Sequence, residues 1–338
     1  MAQYRDYTVE LELGSPIVTK FQADTIFGHI CWAMRFLKWD TPEGGDRLGE
    51  FLRLYDQEGG PPLLVSDGFP GGYLPRPVLP PITQQELDDV VGPVSLGGLV
   101  KNSHKIKAVK NLEYVPAGDF ARLNSHWMDP VEIFRQLFQA HDPMSGDSHP
   151  GRTTMVQHNT VDRVRNMVIN GLYSQEETFY SNDFRKFKIY VRTSYFTRED
   201  LARIFEFIGE DGYGKDKSTG KGHFTSIVRE GNELMENGDP NGFMTLSSFI
   251  PQKGDPRDGY YKVLHKYGKL GGSFASGALD RNPFKKPLIM FAAGSVFRDY
   301  QYQRGKTYGS LLRDVHPSDI IRHYAYAFPI GIRLKDWL

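Results

Sequence analysis

The stretch from Phe187 to Val228 constrains the fold of this chain more than any other. Phe187 to Ser194 alternates as a half-buried strand. Glu199 to Ile208 then puts Leu201, Ile204, Phe205 and Ile208 on one helical face, with Thr197 placed to cap it. The helix runs out at Gly209-Glu210-Asp211-Gly212, and a segment rich in glycine and lysine leads to a short β-like run at Phe224 to Val228. Strand, helix, loop and strand are thus contained in one stretch, and the loop is its least ordinary part.

The same order begins at the N-terminus. Tyr4 to Leu13 alternates as a strand, and Asp24 to Leu37 spaces Ile26, Phe27, Ile30, Trp32, Ala33, Met34, Phe36 and Leu37 as a helix that Asp24 or Thr25 can cap. Gly59 to Pro81 reads as irregular connection, because Leu79-Pro80-Pro81 can continue neither a helix nor a central strand. Polar stretches with Gly and Pro between about Ser95 and Glu177 read as an insertion, and His141 to Arg152 within it as an exposed loop. Further β-like runs at Phe243 to Ile250, Tyr260 to His265, Leu288 to Phe297 and Tyr324 to Leu334 make the C-terminal third mostly sheet. Strands outnumber helices without regular β-α alternation, which favours α+β modules of ferredoxin-like type over a doubly wound sheet. A length of 338 residues favours two domains, or one enlarged by insertions.

The loop, Gly212-Tyr213-Gly214-Lys215-Asp216-Lys217-Ser218-Thr219-Gly220-Lys221-Gly222-His223-Phe224, holds four glycines, three lysines and two hydroxyls. Glycines let backbone N–H groups approach an anion, lysines add positive charge, and Ser218 and Thr219 can donate hydrogen bonds. A phosphodiester backbone suits all three, although an ordinary surface loop can have the same composition. A nucleotide-binding P-loop is excluded by spacing: GxxxxGK[ST] would need glycine at Lys215 and Ser or Thr at Gly222, and a P-loop follows a strand rather than a helix.

Formal net charge is zero, which argues against a general polyanion binder, but the charge is segregated. Residues 1–100 hold 7 of the 41 Lys and Arg and 14 of the 41 Asp and Glu, so they carry net −7 and the remainder net +7. Chance gives this pattern as readily as does an acidic end facing a protein partner with basic loops facing a polyanion. The run Lys101 to Lys110 is strongly basic and suits either a groove lining or the solvated face of a hairpin. No stretch has the roughly 18 apolar residues of a membrane helix, and the one cysteine, Cys31, has no internal partner. A soluble, cytoplasmic protein with no membrane contact is expected.

The segment GYGKDKSTGKGHF closely resembles the glycine-rich loop of the RAMP superfamily of CRISPR RNA-binding proteins. Three further stretches resemble the RAMP subunit that caps the 5′ end of guide RNA in the type III-A (Csm) effector complex. Ser15-Pro16 with Ala23 to Gly28 is similar to its first loop and helix. His158-Asn159-Thr160-Val161-Asp162-Arg163, with Gly171-Leu172-Tyr173 and Glu177-Thr178-Phe179, is similar to its central block. Lys269 to Gly272, Lys285-Lys286-Pro287 and Ala293 to Phe297 are similar to its C-terminal sheet.

The resemblance implies two tandem ferredoxin-like (RRM-like) domains. The first would cover 1–235, with an insertion at roughly 70–185 and the glycine-rich loop at 212–224; the second, mostly β, would cover 236–338. It implies that the chain holds the repeat-derived 5′ tag of the guide RNA and contacts both the large polymerase-like signalling subunit and the first backbone RAMP subunit. Carried over, Lys215, Lys217, Ser218, Thr219, Gly220, Lys221 and Gly222 would touch the RNA backbone, Asn159 and Arg163 the tag or the first spacer nucleotides, with Lys20 and Lys269 as further contacts.

Two other readings stay open: the equivalent cap subunit of a type III-B (Cmr) complex, and a RAMP endoribonuclease processing precursor guide RNA. The latter needs a general acid and base, for which His29, His158, His223 and His265 are candidates, His158 and His223 first among them. No catalytic residue, metal site or cofactor is assigned, because no zinc, dinucleotide or nucleophile-elbow pattern occurs.

Overall fold

The structure is a computed structural model that describes residues 3–37, 46–92, 96–140, 151–162, 167–181, 184–276 and 282–335. The chain begins β1 (Arg5–Leu13), α1 (Ala23–Phe36), α2 (Arg47–Leu54) and β2 (Leu63–Pro70). It continues through β3 (Tyr73–Pro75), α3 (Gln84–Val91), α4 (Leu96–Asn111), β4 (Tyr114–Pro116), α5 (Ala117–Asn124) and α6 (Pro130–Ala140). A long ribbon of β5 (Gly151–Asp162) and β6 (Met167–Tyr180) follows, then β7 (Lys186–Thr193), α7 (Arg198–Asp211) and β8 (Phe224–Glu230). The remainder is β9 (Gly242–Thr245), β10 (Gly259–Tyr260), β11 (Val263–Lys266), β12 (Leu288–Phe291), β13 (Val296–Arg298), β14 (Gly309–Leu312), β15 (His323–Tyr326) and β16 (Pro329–Ile332).

The first sheet has the order β2-β7-β1-β8, antiparallel throughout. Its connectivity, counted over β1, α1, β2, β7, α7 and β8, is strand, helix, strand, strand, helix, strand, and everything from β3 to β6 lies between its second and third strands. Alternation in β1 puts Tyr7, Val9, Leu11 and Leu13 in the core, with Val9 opposite both Ile189 and Val228. The apolar stripes of α1 (Ile26, Phe27, Ile30, Ala33, Met34) and α7 (Leu201, Ile204, Phe205, Ile208) join the same core. Thr197 caps α7 with a full capping box through Asp200.

The second sheet, β10-β13-β9-β16, is also antiparallel, and no α-helix follows β8 among the described residues. Its own core is aromatic, with Phe243 stacked on Tyr308 at 4.0 Å and on Phe297 at 5.3 Å. Buried bonds join the halves. Tyr324 Oη accepts the Val65 N–H at 3.0 Å, Leu246 O accepts the Asp67 N–H at 2.8 Å, and Phe27 stacks on Tyr324 at 5.0 Å. Lys266 reaches from β11 to the first turn of α1, 2.9 Å from Asp24 Oδ2.

Three local expectations are corrected. The connection expected at Gly59 to Pro81 contains β2: Leu63, Leu64 and Val65 are fully buried, and the prolines flank the strand or end it at the sheet edge, where a missing N–H is tolerated. The basic run Lys101 to Lys110 lies on helix α4, neither a hairpin nor a strand, with Val109 buried; Lys105 sits 4.6 Å over the Phe138 ring. The N-cap of α1 is Gln22, without a side-chain cap, and the Ala23 N–H goes to Asp67 Oδ1 of β2 at 2.8 Å. That acceptor comes from far along the chain, out of reach of local capping rules. Residues 141–150 of the expected exposed loop lie outside the described residues, and its last two, Gly151 and Arg152, open β5.

Burial pushes the Asp67 carboxyl up to about 7. Between an unfolded value of about 4 and this folded value, the folded chain holds a proton that the unfolded chain has lost. Stability from this group therefore falls as pH rises through the window and is gone above it. Asp67→Asn keeps an acceptor for Ala23 and removes the charge, so it is expected to raise the melting temperature at about pH 8 and leave it unchanged near pH 4. Thermal unfolding at the two pH values checks this.

Candidate nucleic-acid interface

The glycine-rich loop is a folded element held on three sides. Tyr213 is its buried anchor: the ring packs 4.6 Å from Phe21 and 4.7 Å from His29, the hydroxyl donates to Lys20 O at 3.1 Å, and the N–H donates to Gly222 O at 2.9 Å. The connection between β1 and α1 supplies acceptors for the loop backbone. Thr19 Oγ1 accepts the Lys215 N–H at 3.0 Å, Pro16 O the Gly222 N–H at 2.9 Å, and Ser15 Oγ the His223 N–H at 2.9 Å. His29 Nε2 accepts the Gly214 N–H at 3.0 Å, and burial pushes this imidazole down to about 4, so it stays neutral in the acceptor form.

Between these anchors the chain rises as a single 3-10 turn over Lys217–Thr219, flanked by Asp216 and Gly220 in the left-handed region at φ 62° and 84°. Ser218, Thr219 and Gly220 form an exposed apex, with Lys215 exposed beside them. Gly222 is buried with its N–H bonded, so its contribution to the loop is conformational.

The third side is the ribbon of β5 and β6, tied to the β1–α1 connection by a two-way backbone bridge between Ile17 and Thr178. From β6, Gln175 accepts from Lys215 Nζ at 2.8 Å and donates to Asp216, while Glu177, fully buried, lies 2.5 Å from Lys221 Nζ and 3.0 Å from His158 Nε2. Lys217 pairs with Asp211 at the end of α7. All three lysines therefore have partners in the free chain, of different strength. The Lys217–Asp211 pair is more than a third exposed on both sides and easily exchanged, Gln175 is neutral, and the Lys221 partner is a buried anion.

Lys20 is exposed beside the loop, 3.8 Å from Glu113. Asn159 is exposed on β5, opposite Leu172, where the pairing register shifts; Leu172 is 71% exposed and Tyr173 stacks on His158 at 5.5 Å. Lys269 is exposed in the C-terminal half, bridged to Phe284. Arg163 lies outside the described residues. Of the histidines, His29 and His223 hold the loop, the latter through Nδ1 and Gly209 O at 3.1 Å; His158 is bound to Glu177, and His265 is exposed on β11. Ser15 and Glu177 lie in stretches that carry the resemblance, but the clasp by Gln175 and Glu177 and the acceptor roles of Ser15 and Thr19 are tertiary contacts that residue spacing does not reveal. His29 was findable, since it falls between Ile26, Ile30 and Ala33 on the apolar side of α1.

No helix among the described residues is long and apolar enough to cross a membrane. No protein-family model matches the sequence, and neither does any curated protein. Solved structures do match. A chain of a Csm1–Csm4 cassette bound to AMPPNP aligns over 99% of this chain and 100% of its own at 17% identity, TM-score 0.56. A chain of the Csm3–Csm4 subcomplex of a type III-A CRISPR-Cas interference complex aligns over 97% and 99% at 11% identity, TM-score 0.56. Csm4 is the component these assemblies share. The chain has the fold of Csm4. Both alignments cover this chain and its neighbour almost end to end.

Proposed function

We propose that this chain is an RNA-binding structural subunit of a type III-A CRISPR interference complex, holding the repeat-derived 5′ tag of the guide RNA. The observation that carries the reading is the exposed apex Ser218 to Gly220 with Lys215 and Lys217 beside it, presented by a rigid frame in a chain with the Csm4 fold. The Ser218 hydroxyl and two exchangeable ammonium groups suit a phosphodiester backbone and give no base specificity, while the Thr219 hydroxyl and the Gly220 N–H are donated within the turn, to Asp216 O at 2.8 Å and Lys217 O at 3.1 Å. Lys20 extends the positive edge of the loop, and Asn159 on the ribbon, Arg163 and Lys269 are assigned to flanking nucleotides.

The two sheets are read as tandem ferredoxin-like domains over 1–235 and 236–338, the second reduced to its strands. The neighbours' assemblies support the partners, one containing Csm1 and the other Csm3: the chain docks the large signalling subunit and the first backbone subunit. The chain acts in the cytoplasm, without a cofactor and without catalysis of its own. The duties of His29 and His223 in holding the loop support the non-catalytic reading, since each ring is engaged by backbone.

Each ammonium that meets a phosphate of single-stranded RNA adds about 0.7 to the slope of log affinity against log salt. Lys215→Ala with Lys217→Ala is therefore expected to lower that slope by about 1.4 while leaving the melting temperature within a few degrees. Binding of a short single-stranded RNA across a salt series checks it, and an unaltered slope would remove the loop from the interface.

A further inference from the structure

We propose that Glu177 is the positioning residue that locks the glycine-rich loop to the ribbon, and that it keeps Lys221 as a structural cation that makes no contact with nucleic acid. The second half rests on the RNA-binding reading above; the lock itself does not.

Glu177 has no exposed side-chain surface, and its two carboxylate oxygens serve different elements. Oε2 takes Lys221 Nζ from the loop at 2.5 Å, and Oε1 takes His158 Nε2 from β5 at 3.0 Å. One buried anion thus joins loop, β6 and β5 at a single point. Gln175, two residues earlier on the same face of β6, adds a neutral clasp on Lys215 and Asp216. Met155 to Asn159 and Gly171 to Ser174, next along the two strands, are mostly exposed, so the described part of the ribbon takes its orientation from this base and from the Ile17–Thr178 bridge.

The two kinds of clasp respond differently to an incoming phosphate. Lys215 can leave a neutral amide, and Lys217 an exposed carboxylate, with little loss. Lys221 cannot leave Glu177 without stranding a carboxylate that has no access to water and, among the described residues, only the His158 bond left. The loop therefore offers the polyanion two lysines, not three, and the third fixes the angle between loop and ribbon.

The test uses the full chain and a short single-stranded RNA of fixed sequence. Glu177→Gln with Lys221→Met removes both charges and leaves no buried ion alone. Its salt slope is expected to equal that of the unmodified chain, whereas a slope lower by about 0.7 would mean that Lys221 meets a phosphate and would overturn the assignment. Glu177→Gln alone frees the ammonium, so its slope is expected to rise towards about 0.7 more, and an unchanged or lower slope counts against the proposal. Hydrogen exchange decides the lock without RNA. In Glu177→Gln the Tyr213 and Gly222 amides and the β5–β6 amides are expected to lose protection together, and retained protection in either element overturns it. An unmodified chain without salt-dependent RNA binding would sink the RNA reading alone, leaving the exchange result to judge the lock.

Discussion

Gly222→Ala is expected to destabilise the chain by about 2–5 kcal/mol, far more than the same change at Gly220. Both glycines have left-handed backbone, φ 74° at Gly222 and 84° at Gly220. They differ in space. A Cβ at Gly222 would fall 2.1 Å from Tyr213 O and 2.7 Å from Tyr213 N, both backbone atoms of the pair that closes the loop, whereas at Gly220 nothing lies within 4 Å. Gly220→Ala therefore bears only the conformational penalty, about 1 kcal/mol. Denaturant midpoints at constant m-value check the contrast. Equal losses at the two positions would mean that the frame around Tyr213 is looser than its hydrogen bonds indicate.

Lys221→Ala carries the second large effect, about 3–5 kcal/mol, because among the described residues it leaves the buried Glu177 carboxylate with His158 as its remaining partner. Lys217→Ala removes the partner of Asp211, but in a pair exposed to water, where at most about 1 kcal/mol is at stake. Unfolding free energies of the two variants separate them. A small effect at Lys221 would show that water reaches Glu177 when its ammonium is gone.

The elements framing the loop were legible in the sequence because their signals are local. Alternation located β1 and β7, helical spacing located α1 and α7, and the Thr197 cap fell where the capping box forms. The glycine and lysine pattern marked the loop for the same reason. β2 was hidden by its neighbours, since prolines that would break a central strand sit harmlessly at the ends of an edge strand, while Gly68 lets Phe21 come within 2.6 Å of where its Cβ would be.

The lysines show the larger gap. Sequence places Lys215, Lys217 and Lys221 in one loop with equal claims on a phosphate. Their partners come from α7 and from a strand more than thirty residues away, and only burial distinguishes Glu177 from Asp211. Neither tertiary pairing nor burial leaves a mark within a single loop's spelling, so the ranking of the three had to come from the structure.

The most direct measurement of the central claim is to recover this chain gently from its native cells and sequence the 5′ ends of the RNA that accompanies it. One uniform repeat-derived tag preceding varied spacer sequences is the predicted result. No RNA, or RNA with heterogeneous 5′ ends, would contradict the assignment of the loop as the holder of the guide's 5′ tag.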